Sequence, residues 1–377
     1  MNRAAAGAAT TMAEMRPALL LLLLLLLLSC PVLPVQAELR LVRVLPETVH
    51  AVVDSRGRQL NFDLLLENTG PVPVAIDYVE LEAFDGDGRL VLRRHLGGGG
   101  DPAAVTMLPR RVVPPRGRLH LFNPFPLLPA DLEFDTLRLG VYHDGGRLQV
   151  TIDPVTEPPF VLPVLPMGGD VFVESGADLL APHRRLSLVA GDGERINLSR
   201  NSARFAIDLT RIDDRGRYRD GPRELPENWF AWGAEVRTPV AGRVVAARDD
   251  LPDNRLRADS GIEPASAAGE SPLGNHVIVE LAADRFLLLA HLQQGSVAVE
   301  SGDRVWAGAL LGRIGLSGES TWPHLHVQLQ RGSDPLDSEP LPLMFACVRD
   351  AGGGLRRPAF LATGDRVGPC AIGQSRR

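Results

Sequence analysis

Apolar and polar positions alternate with a period of two through most of this chain, which predicts strands rather than helices. In the N-terminal part the alternating runs cover 39–44, 60–66, 78–84, 119–122, 136–142 and 148–152. Asn68-Thr69-Gly70, Asp85-Gly86-Asp87-Gly88 and the glycines from Gly97 to Gly100 punctuate them as turns. About seven short strands spaced this way predict an immunoglobulin-like β-sandwich over 38–165. Five prolines between Pro154 and Pro166 then mark a linker. A second β-rich domain follows over 171–345, and 346–377 reads as a C-terminal tail. The fold class expected is mainly β throughout.

The most informative pattern is His324-Leu325-His326, continued in alternation by Val327 and Leu329. Residues i and i+2 of a strand share a face, so two imidazoles project side by side, as a metal site requires. His183, His276 and His291 lie in the same half of the chain. His50, His95, His120 and His143 are scattered through the first half and read as structural or exposed. The run Ala203-Arg204-Phe205-Ala206-Ile207-Asp208-Leu209 is an apolar strand with one acid, and a lone aspartate there is costly unless paired or metal-bound.

Composition narrows the picture further. With 38 glycines and 31 prolines in 377 residues, short strands and turns fit better than long helices. A net charge of −6 excludes nucleic-acid binding driven by phosphate neutralisation over the whole chain. Arg3 and Arg16, the leucine run 19–28 and the exit Val35-Gln36-Ala37 describe a secretory signal peptide over 1–37. The run is shorter than the roughly 20 residues of a spanning helix, so no membrane span is expected in the mature chain. Leu27-Leu28-Ser29-Cys30 also reads as a lipoprotein site that would leave a lipid anchor at Cys30. Either processing implies export, and the location expected is the periplasm, the extracellular space or the cell envelope of a bacterium. Cys347 and Cys370 would pair in an oxidising compartment and staple the tail.

The ordered stretches RFAID, TPVAGRVV, GNHVIVEL, LLAHLQ, SGDRVWAGALLGRIG and SGESTWPHLHVQL resemble those of the lysostaphin-type (LytM-type) zinc metallopeptidases that cleave peptidoglycan cross-bridges. The resemblance covers about 171–345 and implies a small antiparallel β domain with a groove holding one zinc ion. It implies that Asp208 and His326 are metal ligands and that His291 and His324 assist catalysis. The family usually places its first histidine ligand where this chain has Arg204, whose guanidinium stays protonated and cannot bind zinc. A branch of the family with RFAID carries an HRR motif upstream, so His183 of His183-Arg184-Arg185 is the candidate replacement. Asn201, a carboxylate, or an incomplete site are the alternatives.

Zinc held by three protein ligands keeps a position for water and lowers that water's pKa to about 7. The function expected is hydrolysis of peptide cross-links in peptidoglycan. The alternative is a degenerate family member that binds the wall or activates other wall hydrolases. GDRVWAGALLG also resembles the hairpin of biotinyl and lipoyl carriers, but these modify a lysine and this chain has none. His276 and the tryptophans 229, 232 and 322 are candidates to line the groove, with Trp322 nearest the paired histidines in sequence. Residues 248–271 break the β pattern and read as a loop beside the site.

Overall fold

The computed structural model describes residues 38–156, 159–185, 187–189, 195–197, 201–265 and 271–370. The expected leader over 1–37, Cys30 included, lies outside these, as do 266–270 of the loop expected over 248–271. Among the described residues no helix is long and apolar enough to cross a membrane.

Two antiparallel sheets organise the first part of the chain. Leu39–Leu45, Asp63–Asn68 and Arg118–Phe122 form one. Gly146–Ile152, Thr136–His143, Val74–Phe84 and Leu90–Leu96 form the other, in that order. Leu64, Leu66, Leu119 and Leu121 from the first sheet share one core with Ile76, Val79, Leu81, Leu137 and Leu139 from the second. Each strand turns its apolar positions toward the facing sheet, which is why the alternation in sequence becomes a sandwich.

The second part is built on a sheet of eleven strands. Its middle runs Gly242–Arg248, Asn275–Ala282, Arg285–Leu292, Leu325–Arg331, Ile207–Arg211 and Val171–Ser175. Arg285–Leu292 is apolar on both faces because both are covered: Leu287 and Leu289 enter the main core, Leu288 and Ala290 a smaller one behind it. The sequence marks 346–377 as a tail, but Arg366–Pro369 pairs with Val171–Ser175 and Val348–Asp350 pairs with Arg366–Pro369. Val348 and Val367 belong to the main core, so this segment completes it. Cys347 and Cys370 are joined by a disulfide that closes the segment. Part of the proline-rich stretch is also fixed: Phe160–Leu162 pairs in parallel with Leu343–Phe345.

The two cores meet across a small apolar cluster of Val52, Ala177, Phe205, Met344 and Phe360. Beside it lies a buried charge cluster centred on Asp63, whose side chain is fully buried. Arg204 Nη1 donates to Asp63 Oδ2 at 2.7 Å, and Arg184 Nε donates to Asp63 Oδ1 at 3.1 Å. His120 Nε2 lies 3.3 Å from Asp63 Oδ2. Burial alone would raise the Asp63 carboxyl, but the guanidiniums of Arg204 and Arg184 and the His120 hydrogen bond reverse this and hold it well below the usual carboxylate range. The position expected to hold a zinc ligand is thus occupied by an arginine that serves the contact between the two halves.

Removing the shared acceptor leaves two guanidiniums buried without a counter-charge. Asp63→Ala is expected to destabilise the chain by about 3–5 kcal/mol in urea unfolding at pH 7. A carboxylate with a depressed folded-state pKa contributes stability above its unfolded value and loses it as pH falls through the folded one. The difference between wild type and variant should therefore hold from neutral pH down to about 4 and shrink only below that.

Candidate metal centre

The site grows from one strand pairing. Ile207–Arg211 lies antiparallel to Leu325–Arg331, with Asp208 directly opposite His326. On the other side of the same strand, Ala290 is paired with His326, which brings the end of Arg285–Leu292 and its His291 alongside. His291 has φ 62°, the left-handed conformation, where the chain leaves the sheet. Such a backbone costs about 1–2 kcal/mol outside glycine. It is held by hydrogen bonds from His291 N to Leu273 O at 3.1 Å and from Gly315 N to His291 O at 2.9 Å.

Four histidines and one aspartate converge. His183 Nε2 lies 2.8 Å from Asp208 Oδ2, and His326 Nδ1 lies 3.1 Å from Asp208 Oδ1. His324 Nε2 is 3.7 Å from Asp208 Oδ1. The His291 and His324 rings are 4.8 Å apart, and the His183 and His326 rings are also 4.8 Å apart. His183 and Asp208 keep 16% and 14% of their side chains exposed, so the cluster is open from one side. His276 stands apart, its Nδ1 2.8 Å from Gly274 O. Trp229 belongs to an apolar cluster with Leu256 and Leu316, against which Tyr218, Trp232, Ile262 and Trp322 pack. The Trp322 ring is 6.4 Å from that of His324.

Backbone carbonyls determine the protonation of these rings, because a nitrogen facing a carbonyl oxygen must carry the proton. His291 Nδ1 donates to Ser317 O at 2.9 Å, and His324 Nδ1 donates to Trp322 O at 2.8 Å. Burial, then the neighbouring His324 and His326, holds His291 well below the ordinary imidazole value. Burial likewise lowers His324, against the attraction of Asp208. Both are neutral near pH 7 with Nε2 unprotonated.

His326 is oriented through a longer chain. Gln330 Nε2 donates to Gly332 O at 2.9 Å and to Asp334 O at 3.0 Å, so its Oε1 accepts from Gln328 Nε2 at 2.5 Å. That leaves Gln328 Oε1 facing His326 Nε2 at 3.1 Å. Nε2 therefore carries a proton, and Nδ1 faces the Asp208 carboxylate. Burial alone would raise Asp208, but the His183 imidazole and the hydrogen bonds from His183 and His326 hold it well below the usual range. An imidazole nitrogen facing an ionised carboxylate calls for a cation between them, a proton or a metal ion.

The donor set fits a metal ion on that ground. One donor atom each from His183, Asp208 and His326 lies within 4.8 Å of the others. A tetrahedral zinc with ligands about 2.0–2.1 Å away holds its donors about 3.3 Å apart. Asp208, His326 and His183 are thus brought together, with His291 and His324 beside them. Asn201 turns its amide to the His183 backbone, Nδ2 donating to His183 O at 2.5 Å. Gln328 and Gln330 escaped notice in the sequence, though His326, Gln328 and Gln330 sit at i, i+2 and i+4 of one strand face.

Residues 230–338 match the model of Peptidase family M23. Among solved structures, a putative M23 peptidase of Pseudomonas aeruginosa is similar at 16% identity over 72% of this chain and 92% of that one, with a TM-score of 0.27. A zinc-containing peptidase of Vibrio cholerae is similar at 13% identity over 81% and 86%, with a TM-score of 0.25. The catalytic domain of lysostaphin from Staphylococcus simulans is similar at 22% identity over 33% and 86%, with a TM-score of 0.17. No curated protein sequence matches the chain.

The Ser317 carbonyl that sets the His291 tautomer rests on a close backbone crossing. A Cβ on Gly318 would come within 2.3 Å of Gly274 N, and one on Gly274 within 2.4 Å of Ser317 C. Gly318→Ala is therefore expected to destabilise the domain by about 1–3 kcal/mol, read from its denaturant midpoint.

Proposed function

We propose that this protein is an exported zinc-dependent endopeptidase that hydrolyses the peptide cross-links of peptidoglycan. In this reading 171–345 carries the peptidase and 38–165 an accessory domain. His183, Asp208 and His326 hold the metal. The observation that carries the reading is the Asp208–His326 pair, a carboxylate and an imidazole nitrogen turned toward each other across adjacent strands with His183 beside them. The match of 230–338 to the M23 family model supports peptide hydrolysis. The leader over 1–37 and the Cys347–Cys370 disulfide support action outside the cytoplasm.

Bound zinc supplies Lewis acidity toward a carbonyl and lowers the pKa of water to near 7. The chain's own residues do the rest. His291 and His324 each keep Nε2 unprotonated, because Nδ1 donates to a backbone carbonyl. Either accepts a proton from the attacking water and returns it to the leaving amine, a role worth about 10²–10⁴ in rate. Their carbonyl partners, Ser317 and Trp322, keep the rings from rotating. Gln328 keeps His326 from rotating. Trp322, beside His324, is a wall against which a peptide or glycan packs.

Murein hydrolysis and bound zinc test the proposal. His326→Ala is expected to abolish both; unchanged zinc and activity would overturn it. His324→Ala is expected to retain zinc while kcat falls by about 10²–10⁴. The regulator reading is favoured by one feature, the replacement of the usual histidine by Arg204, and purified protein without stoichiometric zinc would support it instead.

A further inference from the structure

Two of the three proposed donors are fixed by the sheet, and the third is not. Asp208 and His326 face each other on paired strands. His183 lies on the short turn His183–Arg185, which belongs to no strand of that sheet. What orients the turn is the sandwich. Arg184 is fully buried, and Nε donates to Asp63 Oδ1 at 3.1 Å while Nη2 donates to Phe62 O at 2.8 Å. The Arg185 guanidinium lies 4.7 Å from the centre of the Phe122 ring. Of three consecutive side chains, one reaches Asp208 and two are anchored on strands Asp63–Asn68 and Arg118–Phe122.

The same carboxylate binds the opposite side of the site. Arg204, four residues before Asp208, donates through Nη1 to Asp63 Oδ2 at 2.7 Å and to Asn61 Oδ1 at 3.0 Å. Asn61 Nδ2 in turn donates to Ala177 O at 2.9 Å. Asp63 therefore ties together the segment leading to His183 and the segment leading to Asp208. Its two oxygens are divided between Arg184 and Arg204.

We infer that the metal centre is bipartite: Asp63 of the sandwich is a positioning residue that holds His183 against Asp208 through Arg184 and Arg204. The inference rests on the reading of His183 as a ligand. It makes the N-terminal domain part of the site's construction rather than a detachable wall-binding module. A ligand on a turn with no anchor would populate many orientations, and metal affinity falls by the fraction that is competent. Losing such outer partners of a metal ligand typically costs about 10–100-fold in affinity.

The test uses the chain from residue 38 onward, loaded with zinc or cobalt(II). Asp63→Asn keeps the shape of the acceptor and removes its charge. It is expected to weaken zinc binding about 10–100-fold in competition with a chromophoric chelator. At saturating zinc its kcat/KM should return close to wild type, and its cobalt d–d spectrum should match, because the same donors are used once bound. Should Asp63→Asn fold poorly, Asp63→Leu combined with Arg184→Met and Arg204→Met replaces the ion cluster by apolar groups. That variant is expected to melt cooperatively and still bind zinc weakly.

If the variants lower the melting temperature but the folded protein binds zinc with wild-type affinity, Asp63 is only structural and the inference falls. His183→Ala separates this from failure of the ligand reading. Wild-type zinc affinity in His183→Ala would remove His183 as a ligand. Lost affinity there with wild-type affinity in both Asp63 variants would overturn the positioning role alone.

Discussion

The pairing of Ile207–Arg211 with Leu325–Arg331 is the constraint on which the rest of the site depends. It places Asp208 opposite His326 and leaves the core-facing neighbours Ile207, Leu209, Leu325 and Val327 buried. A slip of one residue would turn the three positions of the slipped strand to the wrong face, so the burial of four apolar side chains holds Asp208 and His326 in register. The next strand, Arg285–Leu292, is buried on both faces, which makes it a rigid wall from which His291 departs with a left-handed backbone. The chemistry is therefore set by a hydrophobic register, and the polar groups inherit their positions from it.

Orientation of the imidazoles is a second layer, and it rests on backbone carbonyls. Ser317 O and Trp322 O orient His291 and His324, while Gly332 O and Asp334 O orient His326 through two buried glutamines. Carbonyls only accept, so each assignment propagates in one direction. Gln328 and Gln330 are almost wholly buried, and such polar side chains persist because every step of the chain is satisfied.

Much of this was legible in the sequence. Two-residue alternation announced strands in both halves, and His324-Leu325-His326 announced a shared face. Asp63, within Asn61-Phe62-Asp63-Leu64-Leu65, is an acid in an apolar strand just as Asp208 is. Its partners Arg184 and Arg204 are 121 and 141 residues away along the chain, so local sequence does not reveal them. Arg204 looked like a missing ligand. Its role emerges only from what lies across the contact.

The proline-rich stretch and the last thirty or so residues show the same limit. Local composition marks them as linker and tail, since neither carries a long periodic run. In three dimensions Phe160–Leu162 and Arg366–Pro369 find strand edges to pair with, and their few apolar residues are buried at once. By itself the sequence determined the β character, the paired histidines, the lone acids and the absence of lysine, because these depend on residue identity and short-range periodicity. Tertiary structure alone decided which acid meets which base. Hydrogen bonds and ion pairs reach about 3 Å in space whatever the separation along the chain, so Asp63 could be assigned to Arg184 and Arg204, and His183 to Asp208, only once the strands were packed.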